Sequence, residues 1–210
     1  MIYPKDLSFD LPNFEFDREI LAEIGDRYLT PEYHHLHRIS AVEGRFNCLM
    51  MLADLPEDFS DLPLLDDLAE LFSSVGSQGD QRDIYKRLFF FNIIDALEFH
   101  IDNGEDYAAD PSRGLNNSGT AYDGPNGPTG RSFAFNLPIR GCEDAPTVWL
   151  DKFGGSIMHE HYWTGPAMIS TEHVHGSPDN QGQRLFLSLG GFYESLRDVK
   201  NLLIREGKVF

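Results

Sequence analysis

The C-terminal half of the chain is a series of short apolar segments separated by turn sequences, and this pattern most constrains the fold. From Arg131 onward the segments read RSFAFNLPIRG, PTVWLDKFGG, SIMHEHYW, STEHVHG and QRLFLSLGGFYES. Glycine, proline, aspartate and asparagine cluster between them, and these residues favour turns. Short strands with a turn about every ten residues predict an antiparallel barrel or sandwich.

The preceding segment, DIYKRLFFFNIIDALEFHID, is rich in aromatic and β-branched residues and predicts one or two further strands. Helical spacing of apolar residues predicts a different structure elsewhere. It indicates a helix over residues 13–30, a second helix over residues 63–73 and a short helix within SLRDVKNLLIRE near the C-terminus.

These patterns together predict one α+β domain over residues 1–210. Residues 1–80 are expected to be mainly helical, residues 84–193 to form the strand core, and residues 195–210 to form a C-terminal helix or tail. Within the core, residues 103–130 are crowded with Gly, Asn, Asp, Ser and Pro and predict a long loop. Loops of this length in compact domains are often functional.

Charge limits the classes of partner. The chain has 34 acidic and 17 basic residues, which give a formal net charge of −17. Such a surface repels phosphate backbones and anionic membranes, so we expect no nucleic-acid or membrane partner. The first residues lack a signal-peptide pattern and no apolar run has the length of a membrane span, which favours a cytoplasmic protein. Cys48 and Cys142 lie far apart, outside any CxxC pair, and are expected to be buried thiols.

Two potential metal ligands, His100 and Asp102, follow the apolar run in the stretch FHIDNG. Residues i and i+2 of a strand share a face, so both side chains can reach one ion. With one histidine from a distant strand they would form a two-histidine, one-carboxylate triad, which leaves coordination positions of Fe(II) open. A strand end that turns into a loop is the simpler interpretation of the same residues.

The downstream segment EHVHGSPDNQGQRLFLSLGG offers that histidine and a cation. His173 and His175 would face the same side of a strand, so either could be the ligand, and His173 is favoured because it keeps the larger gap to Arg184. Arg184 heads an apolar strand and can hold a carboxylate through a two-pronged, charge-assisted pair. Ser188 shares its strand face and can support the same carboxylate.

Three segments, FHIDNG, FNLPIRGCEDAPTVWL and EHVHGSPDNQGQRLFLSL, resemble the Fe(II)- and 2-oxoglutarate-dependent oxygenases. Within them the chain is similar to small phage and bacterial enzymes related to aspartyl/asparaginyl β-hydroxylases and prolyl hydroxylases. The resemblance implies a double-stranded β-helix, or jelly roll. It implies that Arg184 binds the 5-carboxylate of 2-oxoglutarate and that Asn136 faces the cosubstrate or substrate. The iron ligands that it implies are His100, Asp102 and His173.

The implied reaction is the hydroxylation of an unactivated C–H bond of an amino acid, a peptide or a small metabolite. It consumes O2 and releases succinate and CO2. The loop over residues 103–130 is a candidate lid. Plausible substrate contacts within it are Tyr107, Arg113, Asn116 and Asn117. The acidic composition favours a neutral or cationic substrate, while the oligomeric state stays unknown.

Two other functions fit parts of the sequence. The first is a cupin-like metal protein that does not use 2-oxoglutarate and takes its ligands from the HEH and HVH motifs, which contain His159, His161, His173 and His175. It would leave the HxD pair and Arg184 unexplained. The second is a non-catalytic jelly-roll binding module.

Overall fold

The computed structural model describes residues 6–36, 38–42, 45–73, 89–94, 97–100, 123–124, 127–128, 133–151, 156–171, 173–177, 184–191 and 196–208. Within these ranges it contains three α-helices, which are α1 (Arg18–Tyr28), α2 (Pro63–Leu71) and α3 (Leu196–Arg205). Two 3-10 helices span Pro31–Leu36 and Leu52–Asp54.

The strands of the described ranges form two large antiparallel sheets and one small ladder. In chain order they are β1 (Ser8–Asp10), β2 (Arg38–Val42), β3 (Arg45–Met51), β4 (Phe89–Ile94), β5 (Leu97–His100), β6 (Asp123–Gly124), β7 (Gly127–Pro128), β8 (Phe133–Arg140), β9 (Thr147–Leu150), β10 (Ile157–His161), β11 (Ala167–Ser170), β12 (His175–Ser177) and β13 (Arg184–Gly191).

The chain passes repeatedly between the two sheets. The seven-stranded sheet has the order β1-β11-β8-β13-β4-β3-β2, and the four-stranded sheet has the order β10-β9-β12-β5. Strands β4, β8, β11 and β13 therefore lie in the large sheet, while β5, β9, β10 and β12 lie in the small one. This mixture of helices and two antiparallel sheets is a sandwich-like α+β architecture, as the sequence pattern predicts.

The large sheet is covered on both faces. Leu185, Leu187 and Leu189 of β13 belong to the core cluster that contains the helices. Phe186, between them in sequence, belongs to a second cluster with Trp149 of the small sheet. Because successive residues of a strand point to opposite faces, even-numbered positions of β13 lie on the face that looks toward the small sheet, here called the inner face.

Helix α1 shows how the helical layer is attached. The Asp17 carboxylate accepts a hydrogen bond from the Ile20 amide at 3.0 Å and caps the helix start. Leu21 and Ile24 are buried against the sheet. Gly25 approaches so closely that an added Cβ would lie 2.9 Å from the Leu185 side chain. The predicted helix over residues 13–30 is therefore confirmed, with a later start.

The described residues form more strands than the sequence pattern predicts. The apolar segment before residue 101 is confirmed as two strands, β4 and β5, and the C-terminal helix is confirmed as α3. Residues 1–80 hold the two expected helices but also β1, β2 and β3. The strand β11, a run of four buried residues, was not predicted either. Pairing with distant strands stabilises these short segments, and local sequence does not contain that information.

No helix in the described part of the chain is both long and apolar enough to cross a lipid bilayer.

Lys208 hydrogen-bonds to the C-terminal end of helix α2. Lys208 Nζ donates hydrogen bonds to the carbonyl oxygens of Glu70 at 2.6 Å and Leu71 at 3.2 Å, and it lies 2.8 Å from Ser73 Oγ. A cation at a helix C-terminus is stabilising because the last carbonyl groups carry partial negative charge. We expect Lys208→Met to lower the free energy of unfolding by about 1 kcal/mol, measured by urea denaturation.

The matched control for this prediction is Arg197→Met, which removes an exposed cation from the first turn of α3. A cation is unfavourable at a helix N-terminus, so this variant should be neutral or slightly more stable. Equal destabilisation by the two substitutions would contradict the capping role of Lys208.

Candidate functional site

One row of residues crosses all four strands of the small sheet. His100 of β5 lies opposite His175 of β12, His175 lies opposite Trp149 of β9, and Trp149 lies opposite His159 of β10. Directly opposed positions in antiparallel strands have Cβ atoms about 5 Å apart. We call these four positions the inner row. It brings histidines from three strands to one line across the sheet.

The Trp149 ring of the inner row contacts the rings of His175 and His159. The Trp149 ring centroid lies 6.4 Å from that of His175 with an interplanar angle of 28°, and 5.4 Å from that of His159 with an angle of 33°. Trp149 is fully buried, and its Nε1 donates a hydrogen bond at 3.0 Å to the carbonyl of Ser170 in the large sheet. The described side chains of the row therefore lie between the sheets.

His175 has the hydrogen-bonding pattern of a metal ligand. It is buried, and its Nδ1 lies 2.8 Å from the backbone oxygen of His173. A carbonyl can only accept, so Nδ1 carries the hydrogen and the neutral ring has its lone pair on Nε2. A hydrogen bond of this kind fixes the tautomer and ring orientation of metal-binding histidines.

His173 has different contacts. It is half-buried and precedes β12, and its Nδ1 lies 3.0 Å from Ser170 Oγ. Burial lowers the pKa of His173, and the nearby Asp6 carboxylate opposes this shift. The register places His175, not His173, directly across from His100. The sequence pattern favours His173 as the ligand. Because His173 and His175 are two positions apart, strand alternation places both on one face and does not distinguish them.

The three predicted cosubstrate residues lie on the large sheet, and Arg184 is four residues from Ser188 along β13. Arg184, Ser188 and Asn136 are all buried, and Ser188 of β13 is the register partner of Asn136 of β8. Arg184 is only 1% exposed, its Nη1 donates to the Ala145 carbonyl at 3.0 Å, and its guanidinium carbon lies 5.6 Å from the Phe186 ring centroid. The inner face thus combines a cation, a hydroxyl and an amide.

Several predicted site residues fall outside the described ranges. For His100 the backbone is described, at the end of β5. Of the loop over residues 103–130 the structure describes only the two-residue strands β6 and β7. The predicted ligand and the predicted substrate contacts that lie outside the described residues are Asp102, Tyr107, Arg113, Asn116 and Asn117.

The HEH motif joins the edges of the two sheets. His159 Nε2 lies 2.7 Å from Ser8 Oγ, and His161 Nε2 lies 3.8 Å from Asp10 Oδ1. Ser8 and Asp10 belong to β1, at one edge of the large sheet, and the histidines belong to β10, at one edge of the small sheet. Burial lowers the pKa of both histidines. Within the described ranges, no group of three or more His, Cys, Asp or Glu residues could hold a metal ion.

Trp149, Ser170 and Ser8 are site residues that the sequence did not reveal. The tryptophan stands in the distinctive phrase TVWL, but nothing in that phrase shows that its ring lies between two histidines. Alternation within each strand predicts which residues of β9 share a face with Trp149 and which residues of β10 share a face with His159. The register that aligns them depends on pairings between strands distant in sequence.

Comparison with known proteins gives similarity in structure but no match in sequence. No protein-family model matches the sequence, and no curated protein is similar to it. Among solved structures the chain is similar to a prolyl-4-hydroxylase from Pseudomonas putida, with 10% sequence identity and a TM-score of 0.46. The match covers 85% of this chain and 89% of that chain. A match of this size does not assign the chain to that enzyme's family.

Cys142, next to the predicted cosubstrate residues, is expected to be chemically inert. It is buried and its thiol donates to the carbonyl oxygens of Arg140 and Leu185. Burial raises its pKa to about 12, against the opposing effect of Arg184. In a Cys48→Ser background, where Cys142 is the remaining thiol, alkylation by iodoacetamide should stay slow from about pH 7 to pH 10, because the reactive thiolate forms only above this range.

The control is the same variant in urea. An unfolded cysteine has a pKa near 8.5, so its alkylation rate should rise steeply over the same pH interval. A native rate that rises in parallel with the unfolded rate would contradict the buried, protonated thiol.

Proposed function

We propose that this chain is a non-haem Fe(II)- and 2-oxoglutarate-dependent dioxygenase that hydroxylates an unactivated C–H bond of an amino acid, a peptide or a small metabolite. One juxtaposition carries the proposal. His100, the first residue of the HxD pair, is the cross-strand partner of His175. On the facing sheet Arg184 is buried at the start of a strand.

The strand order supports a double-stranded β-helix. Four strands in the order β11-β8-β13-β4 face four in the order β10-β9-β12-β5. The chain passes from one set to the other at each step except from β9 to β10, which are neighbours in the small sheet. This order supports the proposal of an eight-stranded jelly roll. Strands β2 and β3 extend the large sheet beyond β4, and β1 extends it beyond β11.

The proposed iron ligands are His100, Asp102 and His175. His175 replaces His173 of the sequence expectation because it is the register partner of His100 and its Nδ1 hydrogen bond leaves the lone pair on Nε2. Two imidazoles and one carboxylate are a donor set that suits Fe(II) and leaves three positions for other ligands. His175 is the member of this set whose side chain the structure describes, and its Nδ1 hydrogen bond supports its role as a ligand.

The proposed cosubstrate site is the inner face around Arg184. A guanidinium binds a carboxylate through two parallel hydrogen bonds, and this pair is stronger in a buried site than in water. Ser188 and Asn136 lie side by side on the same face and can add a hydroxyl donor and an amide. Oδ1 of Asn136 is buried and accepts no hydrogen bond from the described groups, so this oxygen can accept one from a donor group of a bound molecule.

When bound, Fe(II) and 2-oxoglutarate supply the O2-dependent oxidising chemistry and release succinate and CO2. The chain itself holds the ligands, orients the cosubstrate carboxylate through Arg184, and keeps water away. The orientation of the carboxylate follows from the buried guanidinium of Arg184. The exclusion of water follows from Trp149 and Phe186, which are buried in the same cluster between the sheets.

The cupin-like alternative draws no support from the contacts of its four histidines. His159 contacts Ser8, His161 lies near Asp10, and His173 contacts Ser170, so these rings point to separate partners. A non-catalytic binding module stays the second alternative. The two experiments that follow separate all three functions.

The first experiment tests the ligands. Apo-protein is titrated anaerobically with Fe(II) and 2-oxoglutarate, and the visible charge-transfer band of the chelate is recorded. We expect the band in the wild type and in His173→Ala, and its loss in Asp102→Ala and His175→Ala, because only the latter two remove a ligand. A band lost in His173→Ala but kept in His175→Ala would restore the sequence expectation.

The same titration addresses the alternatives. Iron that binds without a band, and is lost in His159→Ala but kept in Asp102→Ala, would favour the cupin-like function. Absence of iron binding together with absence of succinate formation would favour the binding module.

The second experiment tests Arg184. We expect Arg184→Met to weaken 2-oxoglutarate binding about thirtyfold or more, because removal of one partner of a buried charge pair costs at least about 2 kcal/mol. The Kd is read from the same band. The matched control is Arg140→Met, which removes an exposed arginine that pairs with Asp26 on the protein surface and should leave the Kd unchanged.

A further inference from the structure

The inner row continues beyond the proposed metal ligands into residues with no assigned role. We propose that Trp149 is a positioning residue for His175, held in place by Ser170 and, through His159, by Ser8 of the N-terminal strand. This inference rests on the proposed function because it gives His175 the role of ligand. It also assigns a role to the HEH motif, which the proposed iron site does not use.

Ser170 contacts both Trp149 and His173, and so links these two residues to the large sheet. It is buried at the end of β11, and its carbonyl accepts the Trp149 indole hydrogen at 3.0 Å. Its hydroxyl lies 3.0 Å from His173 Nδ1, and the His173 carbonyl lies 2.8 Å from His175 Nδ1. Because Trp149 in turn contacts the His175 ring, these contacts form a closed loop around the ligand.

The far side of Trp149 is supported by His159. The two ring centroids are 5.4 Å apart, and His159 Nε2 lies 2.7 Å from Ser8 Oγ. Ser8 is fixed in turn because β1 pairs with β11, with Ser8 opposite Ile169. The Ser170 amide also donates a hydrogen bond of 2.8 Å to the carbonyl of Leu7, which precedes Ser8. The large sheet thus holds Trp149 through both Ser170 and Ser8.

These contacts restrict the two rotations that a histidine side chain has. The hydrogen bond to the His173 carbonyl sets the direction of His175 Nδ1, and the Trp149 face limits the tilt of the ring. The second torsion of histidine is intrinsically broad, so an unsupported ring would lose more entropy on binding a metal. Outer contacts of this kind commonly change metal affinity about tenfold or more.

Trp163 provides a matched control. It is buried in the same cluster between the sheets, and its ring contacts His161 and Phe186 rather than the inner row. Replacement of either tryptophan by leucine removes a similar volume from the same core. Only the change at Trp149 removes a contact with His175.

The experiment is a Co(II) titration of the apo-protein, with Co(II) as an air-stable probe of the iron site. The readouts are the Kd and the visible Co(II) absorption spectrum, which reports ligand geometry without any turnover. We expect Trp149→Leu to raise the Kd about tenfold and alter the spectrum. Trp149→Phe should restore part of the affinity because it keeps a flat ring, and Ser8→Ala should raise the Kd less than Trp149→Leu.

Trp163→Leu should leave the Kd and the spectrum unchanged even where it lowers the melting temperature as much as Trp149→Leu. The chain has two tryptophans, so the tryptophan fluorescence of this variant comes from Trp149 alone. Quenching of that fluorescence by Co(II) is expected because the Trp149 and His175 rings are in contact.

The outcomes separate this inference from the proposed function. Co(II) binding that is identical in the wild type, Trp149→Leu and Ser8→Ala would overturn the inference and leave the proposed function standing. Wild-type protein that binds no Co(II) would overturn both. If Trp149→Leu does not fold, Trp149→Phe and Ser8→Ala decide, and wild-type Kd and spectrum in both would overturn the positioning role.

Discussion

The burial of the large sheet on both faces is the constraint from which the site follows. Helices cover one face of β13 through Leu185, Leu187 and Leu189, so that face is apolar throughout. The inner face looks toward a second, smaller sheet, and there the alternating positions contain Arg184 and Ser188. Polar groups in a protein interior need partners, and burial of a charge is costly unless it is compensated. A pair of facing sheets concentrates such groups in the space between them.

The sequence predicted those parts of the fold and site that depend on local periodicity. Residues 97–100 and 184–191 were expected as strands, and alternation alone assigned Arg184 and Ser188 to one face. The choice between His173 and His175 lay beyond this reasoning because the two residues have the same parity. The register with His100 supports the proposal of His175, and this register is set by pairing between strands far apart in the chain. The short strands β1 and β11 escaped prediction for the same reason.

Local electrostatics at the site opposes the overall charge of the protein. The net charge of −17 would repel a dicarboxylate at long range. At physiological ionic strength, however, charges in solvent are screened over about 8 Å, whereas the buried Arg184 acts at short range in a medium of low dielectric constant. An anion that reaches the space between the sheets therefore interacts mainly with Arg184. Repulsion by the acidic surface is screened by salt, whereas attraction by Arg184 acts at short range. An acidic protein can therefore bind the proposed anionic cosubstrate.

The contact between Ser8 and His159 has a consequence for the order of folding. The two residues are 151 positions apart. The register partner of Ser8 in β11, Ile169, lies still further along the chain. Contacts of such high sequence separation form late, because the entropy of closing a long loop must be overcome first. During synthesis on the ribosome β1 emerges early and has to wait for β10 and β11. The contact between Ser8 and His159 is therefore expected to form late in folding rather than in an early nucleus.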